Sequence, residues 1–150
     1  MREFPIVGGK DTHEVKLWPD ETFFKDKTRE QLKPFRVSRI DWSTGKYLDS
    51  VRFTMSNGDV SPKFGSKAFN NYCQVNCDIT QVRIAIKNKK LVGMVLYTGQ
   101  REELMVMQGS EAENAVHTDL VLAKNESIVG FSGRTSSDKA LTGFGFTILE

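Results

Sequence analysis

The sequence predicts an all-β fold on three observations. Apolar residues recur at every second position in several separate stretches. Turn signals divide those stretches at intervals of roughly ten residues, the spacing of a sandwich, barrel or prism. No stretch carries helical periodicity long enough for a packed helix.

Taken in order, residues 1–34 carry the weakest pattern. A strand is expected around His13 to Leu17, followed by a polar connection. Thr28 to Lys33 contains good helix formers but runs into Pro34, which limits it to one or two turns. Ile40 to Trp42 leads to a Ser43-Thr44-Gly45 turn. Val51, Phe53 and Met55 then alternate with Arg52 and Thr54, placing one set of side chains on one sheet face. Asn57-Gly58 follows, a strong hairpin signal because both residues tolerate positive φ. Val82, Ile84 and Ile86 alternate in the same way, and Lys87 to Lys90 forms a turn before the apolar run Leu91 to Tyr97, which suits a strand covered on both faces. Gly99-Gln100 is a further turn. Ser110 to Ala115 is expected to make a single helical turn, and His117 stands at the entrance to another strand. Asn125-Glu126 separates Leu122 from the short run Ile128 to Phe131. Phe144, Phe146 and Ile148 alternate with Gly143, Gly145 and Thr147 at the end.

A chain of 150 residues is the length of one domain. The apolar fraction of 39% and charged fraction of 27% suit a globular protein, and neither suggests disorder. The formal charge is only +2, with basic and acidic residues interspersed. The one dense basic stretch, Lys87-Asn88-Lys89-Lys90, reads as a solvated turn rather than a nucleic-acid patch, because no flanking aromatic offers a stacking platform. No apolar stretch is long enough to span a bilayer, and Met1 to Lys10 lacks the core of a signal peptide. A cytoplasmic or otherwise intracellular setting is therefore expected. The sequon Asn125-Glu126-Ser127 is then coincidental.

Catalytic and metal signatures break off one by one. His13-Glu14 opens like a zinc-protease motif, but Leu17 stands where the second histidine is needed. Gly45-Lys46 is followed by Tyr47 and not by a hydroxyl residue, so no phosphate loop forms. No nucleophile elbow is present. Cys73 and Cys77 are separated by three residues, the wrong count for a redox or zinc pair, and read as small, partly buried hydrophobes in a loop. His117 has no nucleophile tied to it by spacing. The carboxylates are plentiful, but none stands out as a glycosidase pair. No enzyme, metal or other cofactor is expected.

The C-terminal segment Ser127-Ile-Val-Gly-Phe-Ser-Gly-Arg-Thr-Ser-Ser-Asp-Lys-Ala-Leu-Thr-Gly-Phe-Gly-Phe146 resembles the end of a jacalin-related lectin domain, where Ile-Val-Gly-Phe-x-Gly-Arg leads into a short loop and a final strand. Leu48-Asp49-Ser50-Val51-Arg52-Phe53, after the Thr44-Gly45 turn, is similar to the family's second hairpin, and Ile79 to Ile86 to its central strand. The resemblance covers residues 35–149 well. It is poor over 1–34, a divergent N-terminal strand and extended loop. What it implies for 1–150 is a single β-prism I domain: three Greek-key four-stranded sheets around a pseudo-threefold axis. The glycines agree with this independently. Gly130, Gly133, Gly143 and Gly145 crowd one hairpin, as close backbone approach at such an axis requires.

The resemblance also implies a metal-independent carbohydrate site at one tip of the prism. In the family an N-terminal Gly-Gly loop and the loop after Gly-Arg hold the sugar through backbone N–H groups and one aspartate. Carried over, the site comprises Gly8, Gly9, Gly133, Arg134, Thr135, Ser136, Ser137, Asp138 and Thr142. Thr142 stands where the aspartate would be, and the loop is about two residues longer, so Asp138 is the replacement acceptor. A carboxylate that takes two hydroxyl protons forms charge-assisted bonds worth about 1.5–3 kcal/mol each, so its position decides the function. Two readings follow: a lectin-like module, or a non-catalytic structural or protein-interaction domain that has lost sugar binding, with the connection from residue 19 to 34 as a docking element. The expected partner is a glycan of mannose or galactose type, or a protein. A homo-oligomer is compatible with either, and no nucleic-acid partner is expected.

Overall fold

A computed structural model describes residues 1–9, 14–99 and 102–150. The expected strand near His13 therefore begins, within the described residues, at Glu14, and Gln100 of the expected turn lies outside them.

Among the described residues, twelve strands make three antiparallel sheets. The strands β1 (Arg2–Gly8), β2 (Glu14–Trp18), β11 (Ser127–Thr135) and β12 (Leu141–Leu149) form sheet A in the order β1-β12-β11-β2. Sheet B holds β3 (Val37–Thr44), β4 (Leu48–Met55), β5 (Phe64–Gly65) and β6 (Asn71–Gln74) in the order β5-β4-β3-β6. Sheet C holds β7 (Ile79–Lys87), β8 (Lys90–Thr98), β9 (Glu102–Gln108) and β10 (Val116–Val121) in the order β10-β7-β8-β9. In sheets B and C the fourth strand returns beside the first, which is Greek-key order. Sheet A follows the same rule when read from β11 through β12 and β1 to β2, so the two ends of the chain complete the third repeat. This is the three-sided prism that the resemblance implies.

The alternation read from the sequence puts Phe53 and Phe64 of sheet B, Phe131, Phe144 and Phe146 of sheet A, and Ile84, Met94 and Leu96 of sheet C into one interior, each at most 1% exposed. The Phe53 and Phe131 rings stack across sheets B and A at 3.9 Å between centroids and 9° between planes. The clustered glycines are packing sites. A Cβ on Gly143 would lie 2.7 Å from the carbonyl oxygens of Val7 and Gly8, and one on Gly133 would lie 2.7 Å from the Phe64 ring.

Two short helices occupy the N-terminal connection. The expected turn at Thr28 to Lys33 is α2 (Arg29–Leu32), closed by a reciprocal cap between Thr28 and Gln31. An unexpected helix, α1 (Glu21–Lys25), starts at Asp20, whose side chain accepts from Phe23 N–H. Together they lie on the outer side of sheet A, where Leu32 packs with Val129 and Leu149 and is flanked by Phe23, Phe24 and Phe35. No helix forms at Ser110 to Ala115. The N–H groups of Ser110 and Glu111 donate to the Gly45 and Lys46 carbonyls instead, each at 2.9 Å, and the segment runs as consecutive turns. Cys73 belongs to β6 and not to a loop, and Cys77 is exposed; both are free thiols. The short cysteine strand lies at an edge of sheet B, where alternation is weak. Among the described residues no helix is long and apolar enough to cross a membrane.

β1 is tied to the β10–β11 loop by Arg2, which donates to both oxygens of Glu126 at 2.8 and 2.9 Å. That bond, helped by the Ala123 N–H, holds the Glu126 carboxyl at about 2, against 4.5 ordinarily. A depressed folded pKa gives stability that is fully present above the unfolded value and is lost as pH falls through the folded one. Thermal melts should therefore show a loss of stability between about pH 4.5 and about pH 2. Glu126→Gln should flatten that part of the profile. An unchanged profile would mean that this pair does not contribute.

Candidate functional site

The β3–β4, β7–β8 and β11–β12 turns emerge at one tip: Lys90 of the β7–β8 hairpin lies over Tyr47 of the β3–β4 turn, and the end of β1 meets both Ile86 of β7 and Arg134 of β11. β1 ends at the same tip, because Gly8 stands opposite Gly143 at the start of β12. The two tips differ in character. The end with Gly8 and Gly9 carries these three hairpin turns, and the other carries the chain ends and is reached by Arg29 and Lys33 of the α2 segment.

Gly8 and Gly9 have φ of 89° and 71°, conformations that L side chains rarely adopt. They are also closely covered. A Cβ on Gly8 would meet Ile86 Cδ1 at 2.6 Å, and one on Gly9 would meet Arg134 Cδ at 2.8 Å and Thr142 Oγ1 at 2.9 Å. Arg134 Nη1 donates to the Gly9 carbonyl at 3.3 Å, and Thr142 Oγ1 donates to the Arg134 carbonyl at 3.0 Å. Gly8, Gly9, Arg134 and Thr142, far apart in sequence, thus form one cluster. Arg134 Nε is buried with no hydrogen-bond partner among the described residues.

The remaining positions divide. Gly133 and Thr135 are strand residues of β11, paired with Lys16 and Glu14. Gly133 faces the interior, where it makes room for Phe64. Ser136 to Ala140 close the hairpin, with Ser136 N–H donating to the Ala140 carbonyl at 3.0 Å and Lys139 N–H to the Ser136 carbonyl at 2.9 Å. Ser137 and Asp138 are exposed. Asp138 Oδ1 accepts from the Ser136 hydroxyl and from Ala140 N–H; Oδ2 accepts from no other residue among those described. The Ser136 hydroxyl first, then the Ala140 N–H and in smaller part the field of Lys90, hold this carboxyl below its ordinary range. It stays ionised and acceptor-only through mildly acidic pH. Lys139 turns away from it and pairs with Glu14 at 2.7 Å. Thr142 is 3% exposed, so the hydroxyl in the position of the absent aspartate is spent inside the cluster.

Sequence reasoning missed the concavity beside Gly8. A groove of about 550 Å³ runs between the end of β1 and sheet C, walled by Val7, Gly8 and Ile86 and bordered by Asn88, Asn114 and Val116. Asn88 and Asn114 both have positive φ, 53° and 61°, which sets each at a sharp turn on the groove's edge. Val116 is 71% exposed there. Amides beside an exposed apolar side chain match the mixed surface of a pyranose. The only sequence signal was the Lys87 to Lys90 turn; the approach of Asn114 to it depends on the tertiary fold. On the neighbouring side of the tip, Lys90 Nζ lies 4.8 Å above the Tyr47 ring, and burial pushes the Asp49 carboxyl up despite Lys67 and Lys90. Among the described residues, no three His, Cys, Asp or Glu side chains gather as a metal site.

The fold is shared with solved lectin structures. The Malaysian banana lectin matches with a TM-score of 0.72 and 13% identity over 99% of this chain and 97% of that one. The artocarpin–mannotriose complex matches with a TM-score of 0.67 and 15% identity over 98% and 96%. The second β-prism domain of RbmC from V. cholerae, bound to N-acetylglucosaminyl-β-1,2-mannose, matches with a TM-score of 0.59 and 14% identity over 97% and 99%. These neighbours include jacalin-related lectins, and at such identities the likeness establishes the fold. No protein-family model matches the chain, and no curated protein matches it in sequence.

Proposed function

We propose that this chain is a metal-independent, non-catalytic carbohydrate-binding module whose ligand sits at the Gly8–Gly9 tip. The observation that carries the reading is the assembly of Gly8, Gly9, Arg134 and Thr142 into one cluster, beside a hairpin turn that presents an ionised, exposed Asp138 with one oxygen open. In this reading Asp138 Oδ2 accepts sugar hydroxyls. Ser136, Ser137 and Arg134 supply further polar contacts, while Gly133, Thr135 and Thr142 shape the loop. Asn88 and Asn114 flank the ligand from the groove side. The mannotriose held by artocarpin and the mannose-containing disaccharide held by the RbmC domain make mannosides the first ligands to try.

Titration calorimetry with mannosides and galactosides, preceded by a glycan array, tests the proposal. The expected result is saturable binding at millimolar concentration or below. Asp138→Ala should weaken it by about tenfold or more, because a charge-assisted acceptor is lost, with the β-sheet circular dichroism retained. No binding to any glycan would overturn the reading.

One observation favours a second reading. The Thr142 hydroxyl is buried and bonded to the Arg134 carbonyl, so the acceptor of the sugar-binding family has no replacement at its own position. A prism serving as a protein-interaction domain would retain this arrangement and show no sugar affinity.

A further inference from the structure

The tip opposite the glycine cluster holds a cavity of about 520 Å³, within the range of small-molecule sites. Its floor is apolar: Val37, Leu122, Ile128 and Leu149 are all buried there, and Ile79 completes it. Its mouth is basic. Arg29, Lys33, Arg36 and Lys124 line it against two acids, Asp78 and Glu126.

Both acids are already neutralised. Arg36 Nε holds Asp78 at 2.9 Å, and Arg2 holds Glu126 through both oxygens. Lys33 and Lys124 have no ion pair among the described residues, whereas Arg29 is held by the main-chain carboxylate of Glu150, the last residue, and, at 3.9 Å, by Glu30. The uncompensated positive charge over the apolar floor is thus that of Lys33 and Lys124. A neutral sugar would leave the ammonium groups unanswered, and a bare inorganic anion would leave the floor wet.

We propose that this cavity binds a small amphipathic anion: an apolar body seated on Ile79, Leu122, Ile128 and Leu149, with a phosphate or sulfate ester head held by Lys33 and Lys124. The site is separate from the glycan tip and stands whether or not that reading does.

Isothermal titration of the full chain with hexyl phosphate, hexyl sulfate, 1-hexanol and inorganic phosphate tests it. Saturable binding of one or both esters is expected, and which of them binds identifies the head group. Hexanol and inorganic phosphate should each bind more weakly by about tenfold or more, since each lacks one half of the recognition. The double variant Lys33→Glu/Lys124→Glu should weaken ester binding by a similar factor while leaving the melting temperature unchanged. Absence of ester binding, equal binding of hexanol or of inorganic phosphate, or indifference to the double charge reversal would each overturn the proposal.

Discussion

Phe131→Ala is expected to be the most destabilising single change in the molecule. The ring is fully buried, stacks on Phe53 at 3.9 Å, meets Phe146 edge-on at 6.2 Å, and lies beside Trp18 at 6.2 Å. It therefore joins sheet A to sheet B and fastens the edge strand β2. Truncation removes the transfer free energy of the ring and leaves a cavity among rigid aromatics that have little freedom to collapse. Such losses cost about 3–5 kcal/mol, which for a chain of this length lowers the melting temperature by roughly 10 °C or more. Thermal or urea denaturation measures it. A loss under about 1 kcal/mol would show that the interior repacks freely, contrary to the close packing expected of a protein core.

Gly143→Ala is expected to damage both stability and the candidate site. The added methyl would face the backbone oxygens of Val7 and Gly8 at 2.7 Å and the Gly8 carbonyl carbon at 2.9 Å, and backbone cannot swing aside as a side chain can. Strand β1 must move away from β12, with a cost of about 1–3 kcal/mol typical of overpacking. Because Gly8 and Gly9 continue directly from β1, the same movement should weaken glycan binding. Gly45→Ala is the control: the nearest atom to a Cβ there is a carboxylate oxygen of Asp49 at 3.4 Å, and φ is not positive. Hydrogen exchange along β1, together with calorimetry, separates the two effects. If Gly143→Ala left β1 protection unchanged, the close approach of the two strands would not limit this face of the prism.

Much of the framework was readable because burial imposes alternation. β4 and β7 each show one apolar face, and β8, enclosed on both sides, shows a continuous apolar run; β12 is buried throughout, and its alternation survives because its second face is made mainly of Gly and Thr under close neighbours. The strands that were missed lie mostly at sheet edges. β1 contains Pro5, and the ladder between β1 and β12 shifts register between Phe4 and Val7, so the proline falls where pairing is already irregular and hides the strand. β6 reads Asn-Tyr-Cys-Gln and is largely exposed, so it carries no burial pattern. Helix α1 is only five residues long; it persists through its Asp20 cap and the aromatic contacts of Phe23 with Phe24 and Phe35, at 5.2 and 5.7 Å. Such contacts are set by the fold and not by local sequence.

The site was legible to the same extent. The Gly8–Gly9 pair and the loop after Gly133-Arg134 could be named from the resemblance, and the structure brings Gly8, Gly9, Arg134 and Thr142 together. The direction of Asp138 could not be read, because it is decided by two short-range bonds to Ser136 and Ala140 inside its own turn. The groove with Asn88 and Asn114 was invisible for the opposite reason: its walls come from three separate segments of chain.

The layer made by α1 and α2 has a consequence for how copies of this molecule could associate. By closing the outer side of sheet A over Val129 and Leu149, it confines the open strand surface of that flank to the edge strand β2, where Val15 and Leu17 face water. Back-to-back stacking of two prisms would have to employ this β2 edge or the outward flanks of sheets B or C, where Tyr72, Val106 and Val121 stand open to water. The molecule is thus three-sided in construction, with two open flanks and a third reduced to one edge strand for lateral assembly.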